Sequence, residues 1–398
     1  MIDYEILKLV WWLFVGVLLV GFAVMDGQDM GVRSLLPFLG KNDTERRVMI
    51  TTVAPQWDGN QVWLLTGGGA IFAAWPLVYA TAFSGLYWAL FIVLAALILR
   101  PVAFDYRSRV PAEKWRTSWD WALFIGSFVP PIIFGVAFGN MLQGVPCHFD
   151  ETLRSTYTGS FWALLNPFAL LCGVVSIAMI IFHGANYLIL RTTGQLQARA
   201  RKVGLMAGTA TAVLFALGGI WVYFGIQGYV ATDINPAGVA NPLLKNVQVS
   251  DGAWFTNFFN YPVLFVVPVL GIAAALIGVL CEYVWRPLSA VLASAVSILC
   301  IVLTPLIAMF PFILPSSSHP VSSLTMWDCT SSQLTLQVMF IVTLIFLPIV
   351  LIYTGWAYKV MSGKLTAQYI KENDYVLHLL VCRVAFSDCL RRFDGSHV

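Results

Sequence analysis

Residues 25–31 read MDGQDMG and residues 55–63 read PQWDGNQVW, and each stretch sets acids into a run otherwise suited to lipid. Asp26, Asp29 and Asp58 thus lie within or at the mouth of apolar segments, where a bare carboxylate costs at least about 2.5 kcal/mol. Acids kept at that cost usually serve a proton or ion path. The rest of the chain therefore reads as a membrane scaffold around them.

Composition points the same way. Of 398 residues, 59% are hydrophobic and 11% charged, and the mean hydropathy is +0.79. Soluble domains carry about 25% charged residues, so an integral membrane protein with many spans is expected. Long apolar runs favour helices over a barrel, whose strands would alternate apolar and polar residues. The formal charge of +3 makes no case for a nucleic-acid partner, because the basic residues follow the sides of the membrane. The seven cysteines include no C-x-x-C pair, which argues against a zinc site or a disulfide framework. Cys147 and Cys329 fall in loops on one side; a bond between them is open, and the unpaired state is the simpler reading. Asp3 and Glu5 make the N-terminal flank acidic and no cleavage site follows, so the first helix is expected to stay in the mature chain.

Nine apolar segments can be drawn, at about 8–26, 50–75, 79–99, 120–143, 163–189, 204–226, 262–281, 288–314 and 334–358. Each approaches or exceeds the ~20 residues that cross the hydrocarbon. The expected fold class is an all-α integral membrane protein with nine transmembrane helices, two four-helix bundles plus one additional helix. It forms one domain over 1–359 with a cytoplasmic C-terminal tail over 360–398. With the N-terminus outside, twenty of the 23 Lys and Arg residues fall inside and only Lys8, Arg154 and Lys245 remain outside. The positive-inside rule then predicts an N-out, C-in topology.

That topology sets the depth of each acid. Asp26 and Asp29 share one face at the inner end of the first helix. Asp58 is expected eight residues into the second, about 12 Å deep. Asp105 and Asp120 also lie on the inner side, so five carboxylates gather toward the cytoplasm within the first four helices. A desolvated carboxyl exchanges its proton closer to neutral pH, which suits a relay. Structural roles compete with this one. Asp29 can pair with Arg33, four residues on, and Asp105 with Arg100, Arg107 or Arg109. Asp120, between Trp119 and Trp121, can cap the fourth helix. Asp58 has no basic residue within a turn and sits beside Trp57, Asn60 and Gln61, which favours a functional or subunit-facing site. Asp328 is read as the cap of the ninth helix, and Glu282 as the partner of Arg286.

Of five histidines only His183 lies within a span, so a bis-histidine haem cannot be built from this chain's histidines alone. No glycine-rich phosphate loop or H-E-x-x-H motif occurs. Redox or hydrolytic chemistry within the chain itself is not expected. A proton-coupled secondary transporter is the alternative; it would place a substrate site at the midplane with broken helices in corresponding halves, whereas these acids gather at one side and in one half.

Eight stretches carry a resemblance: DGQDMG at 26–31, APQWDGNQVW at 54–63, FAAWP at 72–76, AFSGLY at 82–87, RPVAFDYR at 100–107, PPIIFGVAFGNMLQGVP at 130–146, MFPFILPSS at 309–317 and SLTMWDCTSSQLTL at 323–336. In order and spacing they resemble subunit II of the cytochrome bd quinol oxidases, terminal respiratory oxidases of the bacterial inner membrane. The resemblance implies a noncatalytic subunit beside a homologous subunit I. That partner would carry haems b558, b595 and d and the quinol site, reduce O2 to water and help build the proton-motive force. Small accessory membrane subunits and a structural quinone in this subunit are further expectations. Asp58, Asp26, Asp29, Asp105 and Asp120 become proton-pathway candidates, with Trp57, Arg100, Asn60 and Gln61 as neighbours and Trp63 at a lipid-side oxygen access. Two positions depart from the family pattern: Gln28 stands where Phe is usual, and Gln56, where His is usual, removes a titratable group beside Asp58.

Overall fold

A computed structural model describes residues 2–366, 368 and 370 of the chain, and the tail from 371 onward lies outside the described residues. The helices are, in order, α1 (Tyr4–Ser34), α2 (Leu36–Leu39), α3 (Asp43–Val53), α4 (Trp57–Ala74), α5 (Pro76–Gly85), α6 (Tyr87–Tyr106), α7 (Glu113–Gln143), α8 (Pro167–Arg191), α9 (Gly194–Gly225), α10 (Thr256–Asn260), α11 (Val266–Tyr283), α12 (Pro287–Met309) and α13 (Gln333–Val360). Among the described residues eight helical segments are long and apolar enough to cross a membrane. The count is nine when α4 and α5, bent by 119° at Trp75, are taken as one broken span.

Local chemistry sets several boundaries. Asp3 begins α1 by accepting from the Glu5 amide at 3.2 Å, and Asn166 begins α8 by accepting from the Ala169 amide at 2.9 Å, ahead of Pro167. α1 runs on to Ser34, beyond the expected end at 26, because Arg33 in its last turn finds Asp29 within the same helix. The expected second span from 50 is broken at Ala54–Gln56, with amphipathic α3 before the break and α4 after it. Asp58 is thus in the first turn of α4 and exposed, not eight residues deep.

α8 is the central helix, with 72% of its apolar window buried against its neighbours. It packs on α1, α7, α9 and α12. Gly31 of α1 meets Gly184 of α8 backbone to backbone: a Cβ on Gly31 would stand 2.9 Å from the Gly184 Cα. α13 lies at the periphery, only 6% buried by the same measure, tethered where the Trp11 indole donates to the Leu336 carbonyl at 3.0 Å.

One end of the bundle carries three two-stranded antiparallel hairpins: β1 (Cys147–Phe149) with β2 (Ser155–Tyr157), β3 (Gln227–Thr232) with β4 (Asn246–Asp251), and β5 (Phe312–Leu314) with β6 (Leu324–Thr325). The all-helical expectation holds for the spans, and the strands belong to this cap. Lys8, fully buried, donates there to the carbonyls of Pro236 (2.8 Å), Gly238 (3.3 Å) and Trp327 (2.7 Å). Lys245 pairs with Asp328 at 2.7 Å. Asp328 is therefore not the cap of α13: it accepts from the Thr325 amide and hydroxyl, and Ser332 caps the helix instead. Cys147 and Cys329 are both buried free thiols. The opposite end is closed by an apolar cluster including Leu36, Met49, Leu123 and Leu188, joined by Ile370.

Adding a methyl at the tightest crossing tests this packing. Gly31→Ala is expected to lower stability by about 1–3 kcal/mol through overpacking, read as a reduced thermal midpoint of the purified protein. An unchanged midpoint would mean that α1 and α8 separate without cost.

Candidate functional site

Four charged side chains lie out of water between α1 and α6. Asp26 and Arg100, both fully buried, form a two-pronged pair, with Nη1 donating to Oδ2 at 2.8 Å and Nη2 donating to Oδ1. Gly126 lets α7 close over this pair: a Cβ there would stand 2.7 Å from the Ala96 carbonyl and 3.0 Å from the Arg100 Cγ. One turn on, Asp29 accepts from the Asn60 amide at 2.9 Å and faces Arg33 at 3.7 Å. The Asn60 amide also reaches the Tyr358 hydroxyl, at 3.0 Å, so α1, α4 and α13 meet in one polar chain.

Arg33 is 1% exposed, yet none of its guanidinium nitrogens has a hydrogen-bond partner. Its cation rests instead on aromatic faces, 5.0 Å from the centre of Phe104 and 6.0 Å from that of Trp57, which stack on each other at 5.2 Å. Beside this group the Tyr187 hydroxyl donates to the Thr52 carbonyl at 3.2 Å, with Gln56 at 3.5 Å. Gln28 is buried with its amide nitrogen unpartnered.

The five candidate acids do not form one set. Asp26 and Asp29 sit in the buried centre, and Asp58, exposed at the start of α4, lies within electrostatic reach of Arg100. Asp120 belongs to a separate ionic belt nearer the helix ends. It is held by Arg107 (2.5 Å) and Arg46 (3.0 Å), while Asp43 takes Arg107 (2.9 Å) and Arg116 (2.7 Å). Because α7 starts at Glu113, Asp120 is two turns inside and cannot be its cap. Asp105 is exposed on α6, and only its backbone carbonyl, accepting from Arg109 at 3.3 Å, engages one of its expected partners. Of the neighbours, Trp57 and Asn60 reach the buried centre, Gln61 is half-buried, and Trp63 packs its ring against Gly21. Glu282 does not pair with Arg286. It is buried against Gly204, and Arg201 donates to its backbone carbonyl at 3.0 Å.

Tyr187, Phe104 and Tyr358 were not legible as members of this group, since Tyr358 meets Asn60 across 298 residues of sequence. For Tyr187 and Tyr358 only a hydroxyl within an apolar segment hinted at a role, and for Phe104 nothing did.

Beside the charged centre, a cavity of about 600 Å³ opens between α1, α7, α8, α9 and α12, lined by Phe22, Met30, Phe134, Phe168 and Phe215 among other apolar side chains. Among the described residues no group of three or more His, Cys, Asp or Glu is placed to hold a metal ion. His183, inside the bundle, is engaged by the Ser294 hydroxyl at 2.7 Å.

Two buried acids on α1 and exposed acids on α4 and α6 mark the motifs DGQDMG, PQWDGNQVW and RPVAFDYR. The model of the cytochrome bd terminal oxidase subunit II family matches residues 7–361. The chain belongs to that family. It is 55% identical to the cytochrome bd-I ubiquinol oxidase subunit 2 of Escherichia coli K12 over 379 residues, covering 95% of this chain and all of that protein. It is 34% identical to the cytochrome bd ubiquinol oxidase subunit 2 of Bacillus subtilis, over 89% of this chain and 96% of the other. A chain in the solved structure of the bd oxidase from Geobacillus thermodenitrificans superposes with a TM-score of 0.68 at 13% identity, covering 89% of this chain and 98% of that one, which shows the shared fold. As a cytochrome bd subunit II, the chain is a multi-pass protein of the bacterial inner membrane.

Two measurements follow from the ion pairs. Arg100→Met strands the Asp26 carboxylate and is expected to cost about 3–5 kcal/mol, whereas Arg100→Met combined with Asp26→Asn should recover most of that loss. Thermal unfolding of the purified protein reads the difference. Outside the membrane, burial pushes the Glu45 carboxyl up, but the Arg199 guanidinium, bonded at 2.5 Å, and the Lys41 and Asn42 groups outweigh it and hold the group below its ordinary value. The stability this gives is present above the ordinary carboxylate range and is lost as pH falls through the depressed value. Glu45→Gln should therefore lower the midpoint at neutral pH and flatten its decline in acid.

Proposed function

We propose that this chain is the noncatalytic subunit of a quinol:oxygen oxidoreductase, N-out and C-in, which steadies a haem-bearing subunit I and leads protons toward it from the cytoplasm. The observation that carries the reading is the contrast around Asp58. Asp26, Asp29, Arg33 and Arg100 are closed off within the chain, while Asp58 stands exposed at the foot of a membrane helix. An exposed carboxylate there faces lipid at high cost unless a partner covers it. The same exposed face of α4 carries the large apolar Val62, Leu65 and Phe72 along with Gly59, Thr66 and Gly69, a surface suited to an apolar partner helix.

In this reading Asp58 receives the proton at the subunit boundary, Arg100 senses its charge, and Asp29, Asn60 and Tyr358 form the hydrogen-bonded chain behind it. Asp105 and Asp120 stand nearer the cytoplasmic mouth. Haems b558, b595 and d, which supply electron transfer and oxygen reduction, would belong to subunit I, in keeping with a sequence that sets a single histidine, His183, within its apolar spans. Quinol and O2 are then the substrates of the complex. The cavity lined by Phe22, Met30 and Phe134 suits the isoprenoid tail of a structural quinone, and the uncovered flank of α13 offers room for subunit I or a small accessory subunit.

Asp58→Asn in the intact oxidase is expected to slow oxygen consumption several-fold while the haem spectrum keeps its intensity. Oxygen consumption equal to wild type would remove Asp58 from the proton route.

A further inference from the structure

On the hairpin end of the bundle two histidines from distant parts of the chain meet. His148, on β1, and His319, beyond β5, have ring centres 5.0 Å apart and planes inclined at 43°. His148 is half-buried and its Nδ1 is shielded from solvent without a hydrogen-bond partner, while His319 is exposed. Leaving a shielded ring nitrogen unmatched costs about 1–3 kcal/mol.

The two segments that carry these rings are laced together. The Val145 amide donates to the Pro315 carbonyl at 2.9 Å, and the Ser317 amide donates to the Val145 carbonyl at 3.0 Å. The Phe149 amide donates to the Ser322 hydroxyl at 3.2 Å, the Ser318 hydroxyl to the Cys147 carbonyl at 3.1 Å, and the His319 amide to the Ser316 hydroxyl at 3.2 Å. Both imidazoles are thus presented from one rigid frame. Their spacing matches a shared ion: with metal–nitrogen bonds of about 2.0–2.1 Å and a tetrahedral angle, two ligating imidazoles have centres about 5 Å apart. Asp150, nearby on the same hairpin, is turned to its own loop, accepting from the amides of Thr152 and Arg154, both at 2.9 Å, and is not a third ligand.

We propose that His148 and His319 form a binding site for a late first-row divalent metal ion such as Zn2+, with water completing the coordination. Imidazole nitrogen suits these ions, and two ligands held in place lose little freedom on binding. A bound ion would staple the β1–β2 hairpin to the segment that follows β5, on the side of the membrane opposite the acid set.

Zinc titration of the intact, purified oxidase by calorimetry, after chelator treatment, tests this on wild type, His148→Ala and His319→Ala. His319 is exposed, so its replacement leaves the core untouched, and the haem spectrum reports assembly in every sample. Wild type should bind one zinc equivalent more than either variant, and zinc should raise the thermal midpoint of wild type alone. Cu2+ bound in place of zinc should show coupling to two nitrogens in its electron paramagnetic resonance spectrum. Equal zinc stoichiometry in all three proteins, or loss in one variant only, overturns the proposal.

Discussion

Charges taken out of water must be matched within a few ångströms, and the Asp26–Arg100 pair imposes that condition on the half of the bundle away from the hairpins. Neither group is stable there alone, so α1 and α6 must keep their facing register, and Gly126 must stay small for α7 to cover them. Asp29 and Arg33 repeat the condition one turn further along. Their contact is longer, and Arg33 draws on the faces of Phe104 and Trp57 where hydrogen bonds are missing. The result is a balanced group of two acids and two bases, joined by Asn60 and Tyr358 to helices far away in sequence.

The two ends of the molecule are held by different forces. At one end, ionic contacts tie α3 to α7, α9 and the turn after α6 through Asp43, Glu45, Arg107, Arg116, Asp120 and Arg199. At the other, backbone hydrogen bonds dominate: three hairpins close the bundle, and Lys8 is locked by three carbonyls. Lys8 and Lys245, two of the three basic residues that break the charge asymmetry, are thus absorbed by the cap. Their exception to the rule has a local cause, because a buried cation bonded to carbonyls and an aspartate is no longer a free surface charge.

Much of the fold was legible because lipid is a demanding solvent. Nine apolar runs lead to eight or nine membrane-length helices, and the acids in MDGQDMG and PQWDGNQVW stood out against them. The misreadings share a cause. Asp58 was placed too deep because an apolar run does not reveal a break at Ala54–Gln56. A cap was one of two roles open to Asp120 and the role expected of Asp328; a helix start is a local guess, while their partners, Arg107, Arg46 and Lys245, come from elsewhere in the bundle. Glu282 was given Arg286 by spacing alone, yet α11 turns its carboxyl toward Gly204 of α9.

The order of residues was sufficient for class, span number and family, since hydrophobicity, charge asymmetry and motif order are properties of the chain taken one segment at a time. Which acid is sealed and which is presented depended on folding. Burial is a relation between helices, and the contacts that seal Asp26 and Asp29 come from α4, α6 and α13, whose approach is set by glycine crossings and paired charges spread over the whole chain.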